Sequence, residues 1–417
     1  MNEVISFIQP SRNNLKYLKW SYDSIRKNLG YRHEICWADD FSDDGTWEWM
    51  QEIAEKDKNV KIHRNEGPTR LGHTILYDTL INDYATNDIV MIYHADMYAC
   101  PKMDEEVLKH LERGKVVSAT RIEPPLHPDG PEKILKDFGI EPEEFDEMGL
   151  MNFLKFAREQ REVNKNNGEG KTTNGIFAPW AIYKDDFTSI GGHDPLYAPQ
   201  SKEDSDIFNR FKLAGYEFIQ TWQGFVYHMT CRGSRFKDGA MRNPAGQVFM
   251  KNRESSEWLA QNLRSTRNFI RKWGHMVKHD EYLKPIVPPK YKVYFKAYNC
   301  NLQLLHELEP WCDSIYLDYG SVGKYSHEYR KKEQPNTQFN LDERIWMYGN
   351  SKITDKDGVV VEFDCNKLTP TNFQIIVNLS EIVQESGELG EMELDIFKFY
   401  INSLETYEKN LIVCKTN

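Results

Sequence analysis

No apolar run in the 417-residue sequence approaches the roughly 18–20 residues that cross a bilayer. The opening MNEVISFIQPSRNN has no basic stretch leading into a long apolar one, so export is not expected. The seven cysteines, Cys36, Cys100, Cys231, Cys300, Cys312, Cys365 and Cys414, are odd in number, scattered and free of any C-x-x-C pair. That argues against a disulfide framework and against a cysteine-rich zinc site, and a reducing cytoplasm is expected. With 25 Gly and 18 Pro the chain is neither fibrous nor disordered. Positive charge is also short: 53 Lys and Arg against 64 Asp and Glu leave a net charge of -11, a poor basis for wrapping nucleic acid. One segment departs from the average. Residues 231–290 hold 13 basic against 5 acidic residues, a local +8 between a stretch 1–230 at -12 and a stretch 291–417 at -7.

What is present is ample core material, 40% hydrophobic and 13% aromatic residues, and a length that predicts two or three domains. The first hundred residues alternate strand-like and helix-like runs. VISFIQP (4–10) reads as a strand, NLKYLKWSYDSIRKNL (14–29) as an amphipathic helix, EICWADD (34–40) as a second strand and NVKIHRN (59–65) as a third. TILYDTLINDYA (74–85) reads as a helix, and DIVMIYHAD (88–96) as a strand buried on both faces because its apolar residues are contiguous. Such a series predicts an α/β fold with a mainly parallel sheet, whose ligands bind beyond the carboxyl ends of the strands. The unusual residues fall at those ends: Pro10, Ser11 and Arg12 after the first strand, Asp39 and Asp40 after the second, His94 and Asp96 after the buried one.

Residues 120–170, rich in Pro, acid, Asn and Gly, read as an insertion over the sheet edge. Regular structure resumes with IFAPWAIYKDDFTSIGG, a helix KEDSDIFNRFKLAGY and a strand EFIQTWQGFVYHM. Basic helical stretches follow, up to the proline-rich KPIVPPK (284–290), the best linker candidate. Beyond it YKVYFKAYN, SIYLDYG, DGVVVEF, FQIIVNL and NLIVCK read as strands of a smaller α/β or α+β domain. The expected division is a catalytic domain 1–230, a basic helical extension with linker 231–290, and an accessory domain 291–417.

Five patches in one order, ISFIQPSRNNLKYLKWSYDSI, WADDFSDDGT, IVMIYHAD, IGGHDP and KEDSDIFNRFKLAGYEF, resemble the nucleotide-sugar-dependent glycosyltransferases of family 2, from about residue 4 to 230. The resemblance implies a GT-A fold, a Rossmann-like mixed sheet with helices on both faces. It implies an inverting transfer of one sugar from a nucleoside-diphosphate sugar, a UDP-sugar first, to a hydroxyl acceptor. Residues 290–417 lie outside it.

Each patch has a chemical reason. A nucleotide base needs an acceptor for its ring N–H; Asp40, with Asp39 beside it, offers one, and by the resemblance Asp40 matches the position that reads the base. Turn capping is the plain alternative. The diphosphate needs its charge offset, commonly by a divalent cation on carboxylate and imidazole. Asp96 ends a buried strand where a lone charge would be costly, and His94-Ala95-Asp96 stands where the family has Asp-x-Asp. Asp96 is therefore the expected ligand, with His94 at the nucleotide, the metal or neither. His228 closes FVYHM where some relatives place a histidine ligand, and a mixed Asp/His site favours Mn2+ over Mg2+.

Inverting transfer also needs a base for the acceptor hydroxyl. Asp204 in the Glu203-Asp204 pair is the expected base, with Glu203 second; acids at a helix start also favour the macrodipole. Arg70, Arg232 and Arg235, and less directly Arg12 beside Pro10, are candidate diphosphate contacts. Trp180, Tyr197 and Trp222 are candidate acceptor-side aromatics that could stack on sugar rings or belong to the core.

Two rival readings share the scaffold. A sugar nucleotidyltransferase usually carries a Gly-rich loop after the first strand, and PSRNNLKYL has none. A non-catalytic carbohydrate- or nucleotide-binding protein would be favoured by loss of Asp96 or Glu203-Asp204, which are present. For the acceptor, a glycan or lipid-linked glycan is expected ahead of protein or modified nucleic acid. The basic segment suits an anionic membrane surface, a nucleic acid whose modified base bears a hydroxyl, the donor's phosphates or plain solvation. A homo-oligomer through the C-terminal domain completes the expectations.

Overall fold

The computed structural model describes residues 3–163, 178–232, 238–251, 254–347 and 357–414. The chain forms two compact units: residues 1–261 with 279–285 and 413–417, and residues 262–278 with 286–412. Among the described residues no helix is long and apolar enough to cross a membrane.

In the first unit, β1 (Ile5–Ser11), α1 (Leu15–Asn28), β2 (Glu34–Asp40), α2 (Thr46–Lys56), β3 (Val60–Asn65) and α3 (Gly72–Thr79) follow the alternation expected. The strand expected over 88–96 is split into β4 (Ile89–Ile92) and β5 (Met97–Ala99), with His94 and Asp96 in the break. Then come α4 (Met103–Leu108), β6 (Lys115–Glu123), β7 (Lys133–Leu135), α5 (Glu147–Val163), β8 (Trp180–Tyr183), α6 (Lys184–Ser189), α7 (Glu203–Leu213) and β9 (Glu217–His228). The sheet order is β3-β2-β1-β4-β8-β6-β9-β5, with β7 on β6. The pairs β1–β2, β2–β3, β1–β4 and β6–β9 are parallel, whereas β8 and β5 run antiparallel to their neighbours. This is the mixed, mainly parallel GT-A-type sheet, and β1 and β2 are buried along all seven residues each, as a sheet covered on both faces requires.

Part of the segment taken as an insertion is thus sheet: the last four residues of the central strand β6, 120–123, and all of β7 lie in it. The insertion's α5 places Leu150 and Leu154 in a cluster with Tyr98, Phe225 and Tyr227, so it is packed rather than draped. A short hairpin, β10 (Met241–Arg242) with β11 (Val248–Phe249), precedes α8 (Ser256–Trp273).

The second unit contains β12 (Val293–Tyr298), α9 (Leu302–Leu308), β13 (Ser314–Leu317), α10 (Tyr319–Glu333), β14 (Ile345–Met347), β15 (Val359–Asp364), α11 (Phe373–Val377), α12 (Leu379–Ser386), β16 (Gly390–Leu394) and β17 (Phe397–Ile401). Its sheet order is β14-β13-β12-β15-β17-β16, parallel through β15 and antiparallel beyond it. Two expected strands are corrected. FQIIVNL forms α11 and the start of α12, because Ile376, Leu379 and Val383 recur at helical spacing and are buried together. NLIVCK holds a 3-10 turn, Glu408–Leu411, and no strand. The missing strands are β16 and β17, whose Phe397, Phe399 and Ile401 alternate into the core.

The basic segment is not uniformly solvated. Arg267 and Arg271 are buried with Glu309, Glu333 and Arg344 of the same unit. Arg271 Nη2 lies 2.7 Å from Glu309 Oε2 and 2.6 Å from Glu333 Oε1, Arg267 Nε 3.0 Å from Glu333, and Arg344 Nε 2.5 Å from Glu309. These cations hold the part of α8 from residue 262 onward within the second unit.

Candidate active site

The register of three strands brings separate sequence patches together. Ile122 of β6 lies opposite Tyr227 of β9, so Glu123 and His228 end neighbouring parallel strands. Met97, the first residue of β5, pairs with His228, which puts Asp96 beside it. Between Ala119 and Thr120 the β6–β9 register jumps, with Thr221 and Phe225 as successive partners, and residues 222–224 bulge out. Without that bulge His228 would miss Glu123.

One ligand atom each of His94, Asp96 and His228 lie within 4.8 Å of one another. His228 Nε2 is 3.4 Å from Asp96 Oδ1, and its Nδ1 is 2.8 Å from Glu123 Oε1. Glu123 is in turn 2.9 Å from Arg121 Nε. Burial works against a charge on His228, but Asp96 and Glu123 outweigh it and lift its pKa to about 9. Burial also opposes the Asp96 charge, and His228 nevertheless pulls that carboxyl down to about 2. Glu123 is held well below the usual carboxylate range against its burial, by Arg121, His228 and Lys133. Burial first, and then the neighbouring His228, His73 and Arg121, drive His94 down to about 3 against the pull of Asp96. An imidazole oriented by a carboxylate on one nitrogen and facing a second carboxylate with the other is a donor set that fits a divalent cation. Glu123 had a signal in the sequence, a lone acid at the end of the apolar KVVSATRIE.

At the next strand end, Asp40 is buried and caged. Its Oδ1 accepts from Asn65 Nδ2 at 2.6 Å and from the Leu71 amide at 3.1 Å, and its Oδ2 from the Gly72 amide at 2.9 Å. Asp39 accepts from the Ser42 amide at 3.2 Å and lies 3.5 Å from Arg64. Both aspartates therefore shape the loops after β2 and β3. Arg70 is 3.7 Å from Asp40 and donates to Gln200 at 2.9 Å. Arg12 lies 4.4 Å over the Phe41 ring, and its buried Nε has no hydrogen-bond partner. Pro10 is buried within β1 opposite Ala38.

Glu203 and Asp204 open α7. Burial raises the Glu203 carboxyl, and burial together with the Glu203 charge raises Asp204 well above the ordinary range. Asp204 keeps partial solvent access, whereas Glu203 is buried. Burial first, and then the charges of Asp204, Glu203 and Asp96, push the Tyr77 hydroxyl up, and ring contacts run from Tyr77 to His73 at 5.6 Å and from His73 to His94 at 6.1 Å.

Several candidates belong elsewhere. Trp180 and Tyr197 are fully buried: Trp180 packs on Phe208 and Phe211, and Tyr197 donates to Asp206 at 3.2 Å. They are core residues, because a ring with no exposed face cannot stack on a sugar. Arg232 is also corrected. Its side chain is only 5% exposed, and its guanidinium donates to the Ile140 and Ala240 carbonyls and lies 3.1 Å from Glu141, so its fork is already engaged. Trp222 is half-buried in the β9 bulge. Arg235 lies outside the described residues.

No curated protein matches the chain. Among solved structures, GalNAc-T7 with UDP, GalNAc and Mn2+ is similar at 14% identity over 54% of this chain and 43% of that one, with a TM-score of 0.41. The mannosyltransferase PcManGT from Pyrobaculum calidifontis, in complex with GDP-Man and Mn2+, is 16% identical over 68% and 67%, TM-score 0.41. S. aureus TarS 1-349 with UDP is 14% identical over 54% and 59%, TM-score 0.38. The chain thus spans less than two thirds of the first and third of these. Residues 6–176 match the family model described as Glycosyl transferase family 2.

Proposed function

We propose that the first unit is a metal-dependent, inverting glycosyltransferase that moves one sugar from a nucleoside-diphosphate sugar, a UDP-sugar first, to a hydroxyl acceptor. The observation that carries this reading is the placement of His94, Asp96 and His228, their ligand atoms within 4.8 Å of one another, in the region that Glu203 and Asp204 also face. A bound Mn2+ or Mg2+ on those three residues would offset the charge of the leaving diphosphate.

The chain's own residues supply the rest. Asp204, raised and partly open to solvent, takes the acceptor hydroxyl's proton as that oxygen attacks the anomeric carbon from the face opposite the nucleotide. Glu203 is second in this role. Arg12 and Arg70, which act on each other electrostatically near Asp40, are the remaining described candidates for the phosphates. Asp40 positions the loop carrying Arg70 and is the candidate base reader. For the acceptor we keep a glycan or lipid-linked glycan, with Trp222 as the one candidate aromatic that is not core. The second unit is proposed for acceptor presentation or self-association.

The test is a screen of radiolabelled nucleotide sugars for hydrolysis and transfer by the full chain, with chelator and with Mn2+. Transfer or hydrolysis of one donor that chelator abolishes supports the reading; binding of a donor with no turnover under any metal favours the non-catalytic alternative.

A further inference from the structure

The acidic pair that opens α7 follows a turn that local preference does not favour. Ser201 and Lys202 have φ +82 and +73, the left-handed region, in succession and without a glycine. A Cβ crowds the following carbonyl oxygen there, so consecutive residues of this kind persist only where their surroundings hold them. Lys202 directly precedes Glu203 at the start of α7. The turn therefore sets where Glu203 and Asp204 enter the site.

Contacts on Pro199 and Gln200 hold this turn. Arg70 Nη2 donates to Gln200 Oε1 at 2.9 Å, and Gln261 Nε2, in the first half of α8, donates to the Gln200 carbonyl at 3.0 Å. The Pro199 carbonyl accepts from the Thr74 amide at 3.5 Å, and Gly72 abuts it so closely that a Cβ would lie 2.1 Å away. The Arg70 end is fixed in its turn. The amides of Leu71 and Gly72, which follow Arg70, donate to Asp40 at 3.1 and 2.9 Å, and Arg70 Nε lies 3.7 Å from Asp40 Oδ2. A guanidinium has more donors than these contacts use. Among the described residues nothing accepts from Arg70 Nη1, so that nitrogen can take a phosphate oxygen while Nη2 keeps Gln200.

We propose that Gln200 is a positioning residue that couples a bound nucleoside diphosphate to the acidic pair. A phosphate oxygen on Arg70 Nη1 fixes the guanidinium, the guanidinium holds Gln200 Oε1, and Gln200 holds the strained turn from which α7 starts. Glu203 and Asp204 are thus set for the acceptor once the donor is in place, and only hydrogen bonds change. The coupling rests on the transferase reading above, through the assignment of Arg70 to the diphosphate.

Hydrogen exchange on the full chain, with UDP or GDP and Mn2+ as the probes and binding followed by calorimetry, tests it. Nucleotide binding slows exchange of the amides of residues 201–206 by about tenfold, and Gln200→Ala abolishes the slowing while nucleotide still binds. Because coupling is reciprocal, the nucleotide Kd in Gln200→Ala rises by no more than about that same tenfold. In turnover, Gln200→Ala lowers kcat by about tenfold or more, and Gln200→Glu, which keeps an oxygen for Arg70, recovers most of it. Nucleotide that binds the wild-type chain without slowing these amides overturns the coupling, whether or not any variant folds. Slowing that survives in Gln200→Ala overturns it too, as does a loss of nucleotide affinity of about 100-fold, well beyond what reciprocity allows. A wild-type chain that binds neither UDP nor GDP refutes the transferase reading, and the coupling falls with it.

Discussion

Asp40 Oδ2 accepts a hydrogen bond from the Gly72 amide at 2.9 Å, and on its other side Gly72 leaves no room: a Cβ would lie 2.1 Å from the Pro199 carbonyl oxygen. One glycine thus links the end of β2 to the segment that leads into Glu203 and Asp204.

Gly72→Ala should therefore cost more than its backbone strain. Gly72 has φ +72 and a backbone clash; Gly30 has φ +85 with nothing within 4 Å. The expected loss for Gly30→Ala is about 1–2 kcal/mol, and for Gly72→Ala clearly more, with a fall in turnover that Gly30→Ala does not share. Urea unfolding and a donor-hydrolysis assay check both.

Glu123→Gln should weaken Mn2+ binding by about 10–100-fold, because it removes the carboxylate that orients His228. Asp96→Ala should abolish it. Titration of Mn2+ followed by electron paramagnetic resonance reads both without any acceptor. Chelator should stop turnover, and Mn2+ should restore it at least as well as Mg2+.

For the base, Asp204→Asn should lower transfer by about 100-fold with nucleotide affinity little changed, measured by single-turnover kinetics and calorimetry. If Glu203→Gln is the crippling change and Asp204→Asn is mild, the assignment within the pair is reversed.

Stability should peak near neutral pH in the metal-free chain. His228 has a folded pKa of about 9 against 6.5, so its contribution is complete below 6.5 and disappears as pH rises through about 9. His94 and His73, depressed to about 3 and about 4, act in the opposite sense: the unfolded chain takes up protons below 6.5 that the fold refuses, and stability falls on acidification. His228→Gln should flatten the alkaline limb and ease the acid limb as well, because Asp96 and Glu123 lose the imidazolium that holds their carboxyls down, and acid then has less of that contribution to remove. Urea midpoints from pH 5 to 9.5 test this.

In the second unit, Glu309→Ala strands Arg271 and Arg344, which it meets at 2.7 and 2.5 Å while only 1% exposed. Breaking such a buried pair costs about 3–5 kcal/mol. Asp357→Ala, which loses an exposed contact to Lys292, should cost no more than about 1 kcal/mol. Denaturant midpoints of the two variants give the comparison.

Much of this molecule is legible as sequence because its signals are local. Contiguous apolar runs announce β1 and β2, helical periodicity announces α1 and α7, and the acids and histidines that stop strands mark the edge where chemistry is expected. Where local preference and packing disagree, the reading fails: FQIIVNL has β-branched residues yet is helical, because its neighbours bury one face at helical spacing. The rest depends on contacts distant in the chain. Trp180 and Tyr197 cannot be told from sugar-stacking rings until their burial is known, and Arg232 cannot be told from a phosphate ligand until Ile140 is seen to hold it. Glu123 meets His228, 105 residues along, only because the bulge at 222–224 resets the register. Asp78, 115 residues from His193, lies in an ordinary amphipathic helix and gives no sign of its partner. Periodicity is set by each residue's immediate neighbours, but a hydrogen bond between remote residues exists only once the sheet has fixed their distance.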